Sequence, residues 1–234
     1  MKKIVLIGYG KMGKEVENVL KKEQKHLHSV INSSEELNSF SEKDCIAIDF
    51  SEPAAFRNNY SNIAKKFSGA VIGTTGWNDI EKEVFECFKK NNSSLIYSSN
   101  FSVGVNIFFE AVKVLSKMLS GVSTYDPYII EMHHKQKKDA PSGTAVTVKN
   151  IVNEYFKNIS ESNIASIRSG NIKGIHEVGF ESEIDKITIK HEAYSREGFA
   201  KGAVVAAKWL AEDNKEILIN SFTELLKNKL KLNE

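Results

Sequence analysis

The sequence predicts an α/β protein in which a Rossmann-type, doubly wound parallel sheet carries an inserted α+β domain containing a mixed sheet. Short apolar runs alternate with helical patterns through residues 1–103, which is typical of parallel strands joined by helices. A glycine-rich turn directly follows the first apolar run. From residue 164 onward, three strand patterns follow one another without helices between them, which favours a second sheet that is partly antiparallel.

The composition bounds the class of protein. The 234 residues suffice for two domains that each bury a core. A hydrophobic content of 41% and a charged content of 26% are typical of a soluble globular protein, and a net charge of +2 implies no nucleic-acid partner. No apolar stretch is long enough to cross a membrane. Cys45 and Cys87 lack metal or redox spacing, so we expect reduced cysteines and a cytoplasmic location.

The first strand leads into a dinucleotide-binding motif. Lys3–Ile7 is a short apolar run, Gly8-Tyr-Gly-Lys-Met-Gly13 follows at once, and a helical pattern comes next. In this context Gly8 allows a tight turn and Gly10 lets the backbone approach a pyrophosphate. Gly13 lets the helix pack closely on the strand, so the turn predicts a dinucleotide site.

The same turn also resembles a phosphate-binding loop of nucleotide hydrolases. Residues 8–14 read G-x-x-x-x-G-K, as that loop does. The next residue should then be Ser or Thr, to bind magnesium, but it is Glu15, whose carboxylate would repel a phosphate. We therefore discount this alternative.

The second strand bears on the choice of cofactor. It is predicted at Ser29–Asn32, and in many dinucleotide folds an acidic residue here binds the ribose 2′-hydroxyl of NAD. Asn32 bonds a hydroxyl without repelling a 2′-phosphate, and Lys11 in the glycine turn would reach such a phosphate. We therefore expect NADPH to be used at least as readily as NADH. The alternative is that Lys11 is an ordinary surface lysine.

Further strands of the first sheet end in polar loops. Three more buried strands are predicted, at residues 44–50, 70–73 and 94–97. The last two run into Gly73–Thr75 and Ser98–Phe101, at the strand ends where ligands of such sheets bind. Ser51, shortly before Pro53, predicts the cap of the next helix. Each polar loop taken alone is equally consistent with an ordinary surface loop.

The rest of the chain predicts a second domain followed by a return to the first. Helical patterns cover residues 105–119 and 144–156, and strand patterns cover residues 125–132, 164–169, 175–182 and 186–194. Helices are then predicted at residues 200–211 and 217–230. We therefore divide the chain into a dinucleotide-binding domain (1–103), an inserted substrate-binding and oligomerisation domain (104–196), and C-terminal helices (197–234) that return to the first domain.

The stretch from Glu131 to Ala145 carries the candidate chemistry. His133, His134 and Lys137 stand just ahead of a predicted helix start with Ser142 as its N-cap. A helix N-terminus offers unpaired N–H groups and the positive end of a dipole, which suit an anion. Imidazole and amine groups move protons, so the stretch predicts a site for a small di-acid whose reaction needs a proton.

Other interpretations of this stretch are open on the residues alone. Adjacent histidines are often structural residues with satisfied hydrogen bonds, and Lys135, Lys137 and Lys138 are compatible with a solvated basic loop. A zinc site would need further ligands, but the sequence has no His-Glu-x-x-His motif and no cysteine nearby. We therefore predict no metal.

Together these motifs resemble one enzyme family. The run from Glu131 to Thr144 reads Glu-x-His-His-x-x-Lys-x-Asp-Ala-Pro-Ser-Gly-Thr without a break. Other matching segments are Gly8–Gly13, Asp49–Ser51, Gly73–Gly76, Asn100–Val105, Arg168–Gly170, His176–Phe180 and His191–Arg196. By these motifs, spread over most of the chain, the sequence resembles the 4-hydroxy-tetrahydrodipicolinate (dihydrodipicolinate) reductases of the diaminopimelate route to lysine.

The resemblance implies roles for the matching residues. His133 would be the acid/base residue and Lys137 the proton donor, while His134, Gly143 and Thr144 would hold the carboxylates of the substrate. The resemblance implies that NADH or NADPH is bound by Gly8, Tyr9, Gly10, Lys11, Met12, Gly13, Gly73, Thr74, Thr75, Ser98, Ser99, Asn100 and Phe101. It also implies loss of water from the substrate, hydride transfer, protonation, and a homotetramer built through the second sheet.

Two departures from the family pattern and two rival functions remain. Asn32 stands where many members have an acidic residue, which leaves the cofactor preference open, and the segment from 156 to 167 is shorter than in many members. One rival is another two-domain NAD(P)-dependent oxidoreductase acting on a different small acid or sugar. The other is a non-catalytic redox sensor that binds NAD(H).

Overall fold

The structure is a computed structural model that describes residues 2–25, 27–42, 44–122, 124–157, 160, 163–212 and 216–230. The chain divides into two compact units. Unit 1 comprises residues 1–103 and 197–234, and unit 2 comprises residues 104–196. Among the described residues, no helix is both long and apolar enough to cross a membrane.

The strands and helices are numbered in chain order. The strands are β1 (Lys3–Ile7), β2 (Leu27–Ile31), β3 (Cys45–Asp49), β4 (Gly69–Ile72), β5 (Ser94–Tyr97), β6 (Asp126–His133), β7 (Ile164–Arg168), β8 (Ile175–Glu181), β9 (Lys186–Glu192) and β10 (Ile219–Ser221). The α-helices are α1 (Lys11–Lys22), α2 (Ser34–Ser39), α3 (Pro53–Lys66), α4 (Glu81–Lys90), α5 (Val103–Leu119), α6 (Gly143–Asn153), α7 (Glu197–Glu212) and α8 (Phe222–Leu230).

Unit 1 is built on a parallel sheet with the strand order β10-β5-β4-β3-β1-β2. Both faces are covered: Leu6 and Ile48 pack with residues of α1, α7 and α8, whereas Val5 and Ala47 pack with residues of α3 and α4. Successive side chains of a strand point to opposite faces, so continuous apolar runs are expected when both faces are buried. The prediction of a doubly wound parallel sheet is confirmed.

The structure corrects two predictions in unit 1. The last predicted helix begins only at Phe222, because Ile219–Ser221 form β10 and pair in parallel with β5. An isoleucine-rich segment beside an open sheet edge gains ladder hydrogen bonds there, which a helical periodicity does not reveal. Ser51 does not cap α3 either: the N-cap is Glu52, and the Ser51 hydroxyl donates to Asp49 instead.

Unit 2 is built on a mixed sheet with the strand order β7-β6-β8-β9. β6 pairs with β7 in parallel, and the other two pairings are antiparallel, so the predicted mixed sheet is confirmed. One face packs on α5 and α6 through a core that includes Val112, Ile129, Val148 and Phe180. Residues of β6 alternate between buried and partly exposed, which assigns Glu131 and His133 to the same side as Ile129.

Candidate active site

The glycine turn lies at the carboxyl edge of the unit 1 sheet. Gly8 has φ +84°, and a Cβ built there would lie 2.9 Å from the carbonyl oxygen of Phe50. A Cβ on Gly13 would lie 2.3 Å from the carbonyl oxygen of Gly8, so any side chain at Gly13 would separate α1 from the turn. Gly10 is the N-cap of α1, and the space beside it is open to a ligand. This is the local geometry that a bound pyrophosphate requires.

Two cavities lie along the same edge. The larger, of about 680 Å³, is lined by four of the predicted cofactor residues, Thr74, Thr75, Ser98 and Ser99. The smaller, of about 180 Å³, is lined by Gly8 and by residues at the ends of the neighbouring strands and loops: Ile7, Ile31, Asn32, Ser33, Ser34, Leu37, Ser51, Ala55 and Asn59. The larger cavity therefore lies at the ends of β4 and β5, and the smaller at the ends of β1 and β2.

The remaining predicted cofactor residues differ in their surroundings. Lys11 is exposed, whereas Met12 packs against the core. Phe101 is only 2% exposed, and its ring contacts Phe222 at a centroid distance of 5.0 Å. Any contact of Phe101 with a cofactor would therefore use its backbone. Asn100 shapes its loop, because its side-chain oxygen accepts a 2.9 Å hydrogen bond from the backbone N–H of Ser102.

A carboxylate approaches the end of β2, where the sequence has no acidic residue. The Oδ1 of Asn32 accepts a 3.1 Å hydrogen bond from the backbone N–H of Tyr9. The backbone N–H of Asn32 donates a 2.6 Å hydrogen bond to Glu36, whose own N–H bonds to the Ser33 hydroxyl. This is a variant of the capping box at the start of α2, in which Glu36 bonds the N–H of the residue before the N-cap Ser33, and it holds a negative charge beside the smaller cavity.

In unit 2, His133 and Glu131 form a buried dyad. The Nδ1 of His133 is hydrogen-bonded to Oε2 of Glu131, and the two side chains are 10% and 0% exposed. The other oxygen of Glu131 accepts a 2.6 Å hydrogen bond from Arg168. With Glu131 ionised, Nδ1 of His133 carries the hydrogen, and Nε2 is the nitrogen that can take up a proton.

Lys137 belongs to the loop that follows β6. Its backbone N–H donates to the carbonyl oxygen of His134, which closes a turn, and its Nζ lies 2.9 Å from Oδ1 of Asp139. Arg168 also donates a 2.6 Å hydrogen bond to the carbonyl oxygen of Asp139, so the loop is attached to the dyad. His134 has its Nδ1 buried without a hydrogen-bond partner among the residues that the structure describes.

His176 joins the dyad to the start of α6. Its ring lies 5.1 Å from the His133 ring, at 69° to it, and its Nε2 lies 3.2 Å from the Ser142 hydroxyl. That hydroxyl accepts a 3.2 Å hydrogen bond from the backbone N–H of Ala145, which confirms Ser142 as the N-cap. The N–H groups of Gly143 and Thr144, in the uncapped part of the first turn, are suited to an anionic ligand.

The protonation of this network follows from burial and hydrogen bonding. Burial lowers the pKa of His133, although the Glu131 carboxylate opposes the effect. Burial alone would raise the pKa of Glu131, but hydrogen bonds from Arg168 and His133 outweigh it and hold that pKa below its ordinary value. Burial, reinforced by the nearby His133, lowers the pKa of His176 to about 4. At neutral pH the dyad is therefore a carboxylate beside a neutral imidazole.

The same cluster has the residue types of a metal site. Ligand atoms of Glu131, His133 and His176 lie within 4.8 Å of one another. Arg168 already binds Glu131, and a divalent cation there would face the positive charge of the guanidinium. The hydrogen bonds of this cluster are explained without an ion, and we interpret it as a proton-handling network.

Sequence reasoning did not assign a role to three residues near the predicted site, namely Arg168, Asp139 and His176. His176 is the cross-strand partner of Glu131 in the β6–β8 register. Glu131 and His133 are two residues apart on a strand, a spacing that predicts a shared face. The capping box of Ser33 and Glu36 was also readable from its spacing. The register that brings His176 to the dyad was not.

Comparisons with known proteins agree over nearly the whole chain. Two family models match: "Dihydrodipicolinate reductase, N-terminus" over residues 2–101, and "Dihydrodipicolinate reductase, C-terminus" over residues 104–226. A 4-hydroxy-tetrahydrodipicolinate reductase from Christiangramia forsetii is 42% identical over 222 residues, which are 89% of this chain and 92% of that relative. One from Methanocaldococcus jannaschii is 36% identical over 206 residues, or 81% of this chain and 74% of that relative.

A solved structure shares the fold. The dipicolinate-bound dihydrodipicolinate reductase from Paenisporosarcina sp. TG-14 aligns with a TM-score of 0.75, covering 96% of this chain and 99% of that one. The two sequences are 21% identical, so this likeness shows the architecture of both sheets and nothing finer.

Proposed function

This chain belongs to the dihydrodipicolinate reductase family, and on that premise we propose how its residues share the work of the reaction. The chain reduces 4-hydroxy-tetrahydrodipicolinate to tetrahydrodipicolinate with NADH or NADPH, in the diaminopimelate route to lysine. Unit 1 is the dinucleotide-binding domain, and unit 2 binds the dicarboxylate substrate. The His133–Glu131 dyad, linked through His176 to the start of α6, is the observation that carries this assignment.

The cofactor is bound along the carboxyl edge of the unit 1 sheet. Gly8 and Asn32, which line the smaller cavity, would hold the adenosine ribose, and the turn from Gly8 to Gly13 would hold the pyrophosphate. Thr74, Thr75, Ser98 and Ser99, which line the larger cavity, would hold the nicotinamide half. Support comes from the open space at Gly10 and from the polar lining of both cavities.

The capping box at the start of α2 affects the choice between NADH and NADPH. Asn32 and Lys11 favour NADPH, because neither repels a 2′-phosphate. The Glu36 carboxylate, held by the backbone N–H of Asn32, argues in the opposite direction. We therefore propose that both cofactors are used and that Glu36 lowers the affinity for NADPH.

The substrate is anchored by its carboxylates. The N–H groups of Gly143 and Thr144 bind one carboxylate at the positive end of α6, which has 11 residues. His134 contacts a carboxylate through its imidazole, whose Nδ1 otherwise lacks a partner among the described residues. These contacts orient the ring so that the carbon to be reduced and the proton-handling groups are held in fixed positions.

His133 and Lys137 handle the protons. Neutral His133, with its Nδ1–H directed at Glu131, accepts at Nε2 a proton from the ring carbon beside the hydroxyl-bearing carbon and returns it to the departing hydroxide, which leaves as water. The reduced nicotinamide, when bound, supplies the hydride. Hydride arrival leaves an electron pair on the conjugated ring, and Lys137 protonates it from its ammonium group. Asp139 holds that ammonium group in position when no substrate is bound.

We further propose that the chain assembles as a homotetramer through the second face of the unit 2 sheet. Ile130 and Met132 point away from the core. The register partners of Met132 are Ile167 and Ile175, so these three side chains form an apolar patch, and Ile130 lies at its border between Ala165 and Glu177. Ile167 is 41% exposed. A contiguous apolar patch on a sheet face is a typical protein–protein contact.

We also propose that the chain is located in the cytoplasm. Its support is that Cys45 and Cys87, both of which the structure describes, do not form a disulfide, and that the reaction consumes a reduced nicotinamide cofactor. Fractionation of cells with an antibody to the chain tests it, and recovery in an extracytoplasmic fraction would refute it.

A turnover assay tests the main proposal. The purified chain is mixed with NADH or NADPH and with hydroxy-tetrahydrodipicolinate generated in situ. We expect substrate-dependent oxidation of both cofactors, followed as loss of reduced-nicotinamide absorbance. Cofactor binding without turnover would favour a redox sensor instead, and turnover of a different small acid would favour another oxidoreductase.

A further inference from the structure

A buried carboxyl group lies beneath both cavities of unit 1. Asp49 is the last residue of β3 and has no exposed surface. β3 lies between β1 and β4 in the sheet. The carboxyl group of Asp49, at the end of β3, is therefore flanked by the turns that follow β1 and β4. A carboxyl group in such a place is costly, because burial removes it from water. A buried carboxyl group that lowers the stability of the sheet in this way is expected to have a compensating role.

One oxygen of this carboxyl group collects three hydrogen bonds. Oδ1 of Asp49 accepts from the backbone N–H of Ser51 at 2.9 Å, from the Ser51 hydroxyl at 2.8 Å, and from the Thr74 hydroxyl at 2.5 Å. The donors belong to two different loops, one after β3 and one after β4. Oδ2 is buried without a hydrogen-bond partner among the described residues.

These donors lead to different cavities. Ser51 lines the smaller cavity together with Gly8, and Thr74 lines the larger one together with Ser98. The Thr74 hydroxyl also lies 3.1 Å from the Ser51 carbonyl oxygen, so its one hydrogen is shared between Asp49 and the Ser51 loop. A single atom of Asp49 therefore sets the spacing between the linings of two cavities.

We propose that Asp49 is a positioning residue for the cofactor, which fixes the Ser51 and Thr74 loops so that both halves of one dinucleotide fit at once. This inference rests on the proposed function, since it requires the dinucleotide to bind along this edge of the sheet. Burial raises the pKa of Asp49, and only the Thr74 and Ser51 donors oppose that effect. Those hydrogen bonds therefore hold the two loops together and also offset part of the cost of burying the carboxyl group.

The test compares binding of NADH with binding of ADP-ribose, which lacks the nicotinamide. In Asp49→Ala we expect the dissociation constants of both to rise about tenfold or more. In Thr74→Val only the NADH constant should rise by several-fold, because the adenosine half does not depend on that loop. At saturating cofactor and substrate, kcat of Asp49→Ala should stay within about threefold of the natural chain, since the chemical groups are untouched.

Ser93→Ala is the matched control. Ser93 is fully buried and donates a 2.8 Å hydrogen bond to the carbonyl oxygen of Phe67, but it precedes β5 at the opposite edge of the sheet. Its loss should lower the melting temperature and leave both dissociation constants within about twofold of the natural chain. A similar melting temperature in Ser93→Ala and Asp49→Ala, with weakened binding only in the second, supports positioning over general stabilisation.

A second variant covers the case in which Asp49→Ala does not fold. The double variant Ser51→Ala/Thr74→Val keeps the carboxyl group and removes its side-chain donors, and it should reproduce the loss of affinity for both ligands. Natural affinity in that double variant, or in folded Asp49→Ala, would overturn the role of Asp49. Failure of the natural chain to bind NADH or NADPH would instead overturn the proposed function.

Discussion

The imidazole of His133 and the carboxylate of Glu131 are hydrogen-bonded to each other inside unit 2, two positions apart on the same face of β6. Arg168 holds the second carboxylate oxygen at 2.6 Å, so the carboxylate is fixed from both sides. The arrangement determines which nitrogen of His133 carries hydrogen and leaves the other to exchange protons with a ligand. The first prediction follows from this dyad.

Replacing Glu131 with Gln should lower kcat about a hundredfold, because the imidazole loses the partner that orients it. The carboxylate raises the pKa of His133 against the lowering effect of burial, so its removal should lower that pKa further. The corresponding limb of the kcat/KM profile should then move to lower pH. Glu183→Gln, in an exposed turn of unit 2, is the control. An unshifted limb would contradict the dyad.

Replacing Lys137 with Ala should reduce kcat by about two to four orders of magnitude with a smaller effect on KM, because the proton donor is lost. Lys135→Ala and Lys138→Ala remove exposed lysines from the same loop and should retain turnover within about threefold. Steady-state kinetics of all three variants gives the comparison. Equal losses in all three would indicate a general effect of loop charge and not a donor.

Replacing Glu36 with Gln should raise kcat/KM for NADPH about fivefold, because a negative charge beside the 2′-phosphate is removed while the NADH value changes little. Glu42→Gln is a charge-matched control, since Glu42 pairs with His28 near the opposite end of β2. The ratio of kcat/KM for NADPH to kcat/KM for NADH, measured in both variants, tests this prediction. An equal rise in both variants would point to overall charge instead.

Acidification should destabilise the chain through His176. Its pKa is about 4 in the folded chain against 6.5 when unfolded, so the unfolded state binds the proton first and stability falls as pH drops from 6.5 to about 4. The loss approaches about 3 kcal/mol. In His176→Gln the decline should be shallower than in the natural chain. Urea unfolding at several pH values measures this, and an unchanged slope in His176→Gln would contradict it.

Replacing Ile167 with Asp should break the proposed tetramer, because a carboxylate on the open sheet face would be buried without a partner. Ile184→Asp is the control: Ile184 is 91% exposed in the turn before β9, and its replacement should leave the assembly intact. Light scattering after size-exclusion chromatography reports the mass. An unchanged mass in Ile167→Asp would exclude this face as the contact.

Local sequence patterns predicted the structure correctly where few other hydrogen-bond partners compete. Ser142 was predicted to cap α6, and it does. Ser51 was predicted to cap α3 by the same reasoning, but α3 begins at Pro53 with Glu52 as its N-cap, so Ser51 lies one residue too early, and its hydroxyl donates to Asp49. The segment that forms β10 was predicted as helix, because its strand conformation depends on hydrogen bonds to β5, which is distant in the sequence.

By itself the sequence determined the alternation of strands and helices, the glycine turn, and the run from Glu131 to Thr144, because each rests on spacing within a short segment. Only the tertiary structure decided that His176 meets the dyad and that one atom of Asp49 holds Ser51 and Thr74. Those contacts join residues far apart in the chain or choose among competing hydrogen-bond partners. Strand register and burial make that choice, and both arise from the packing of the whole unit.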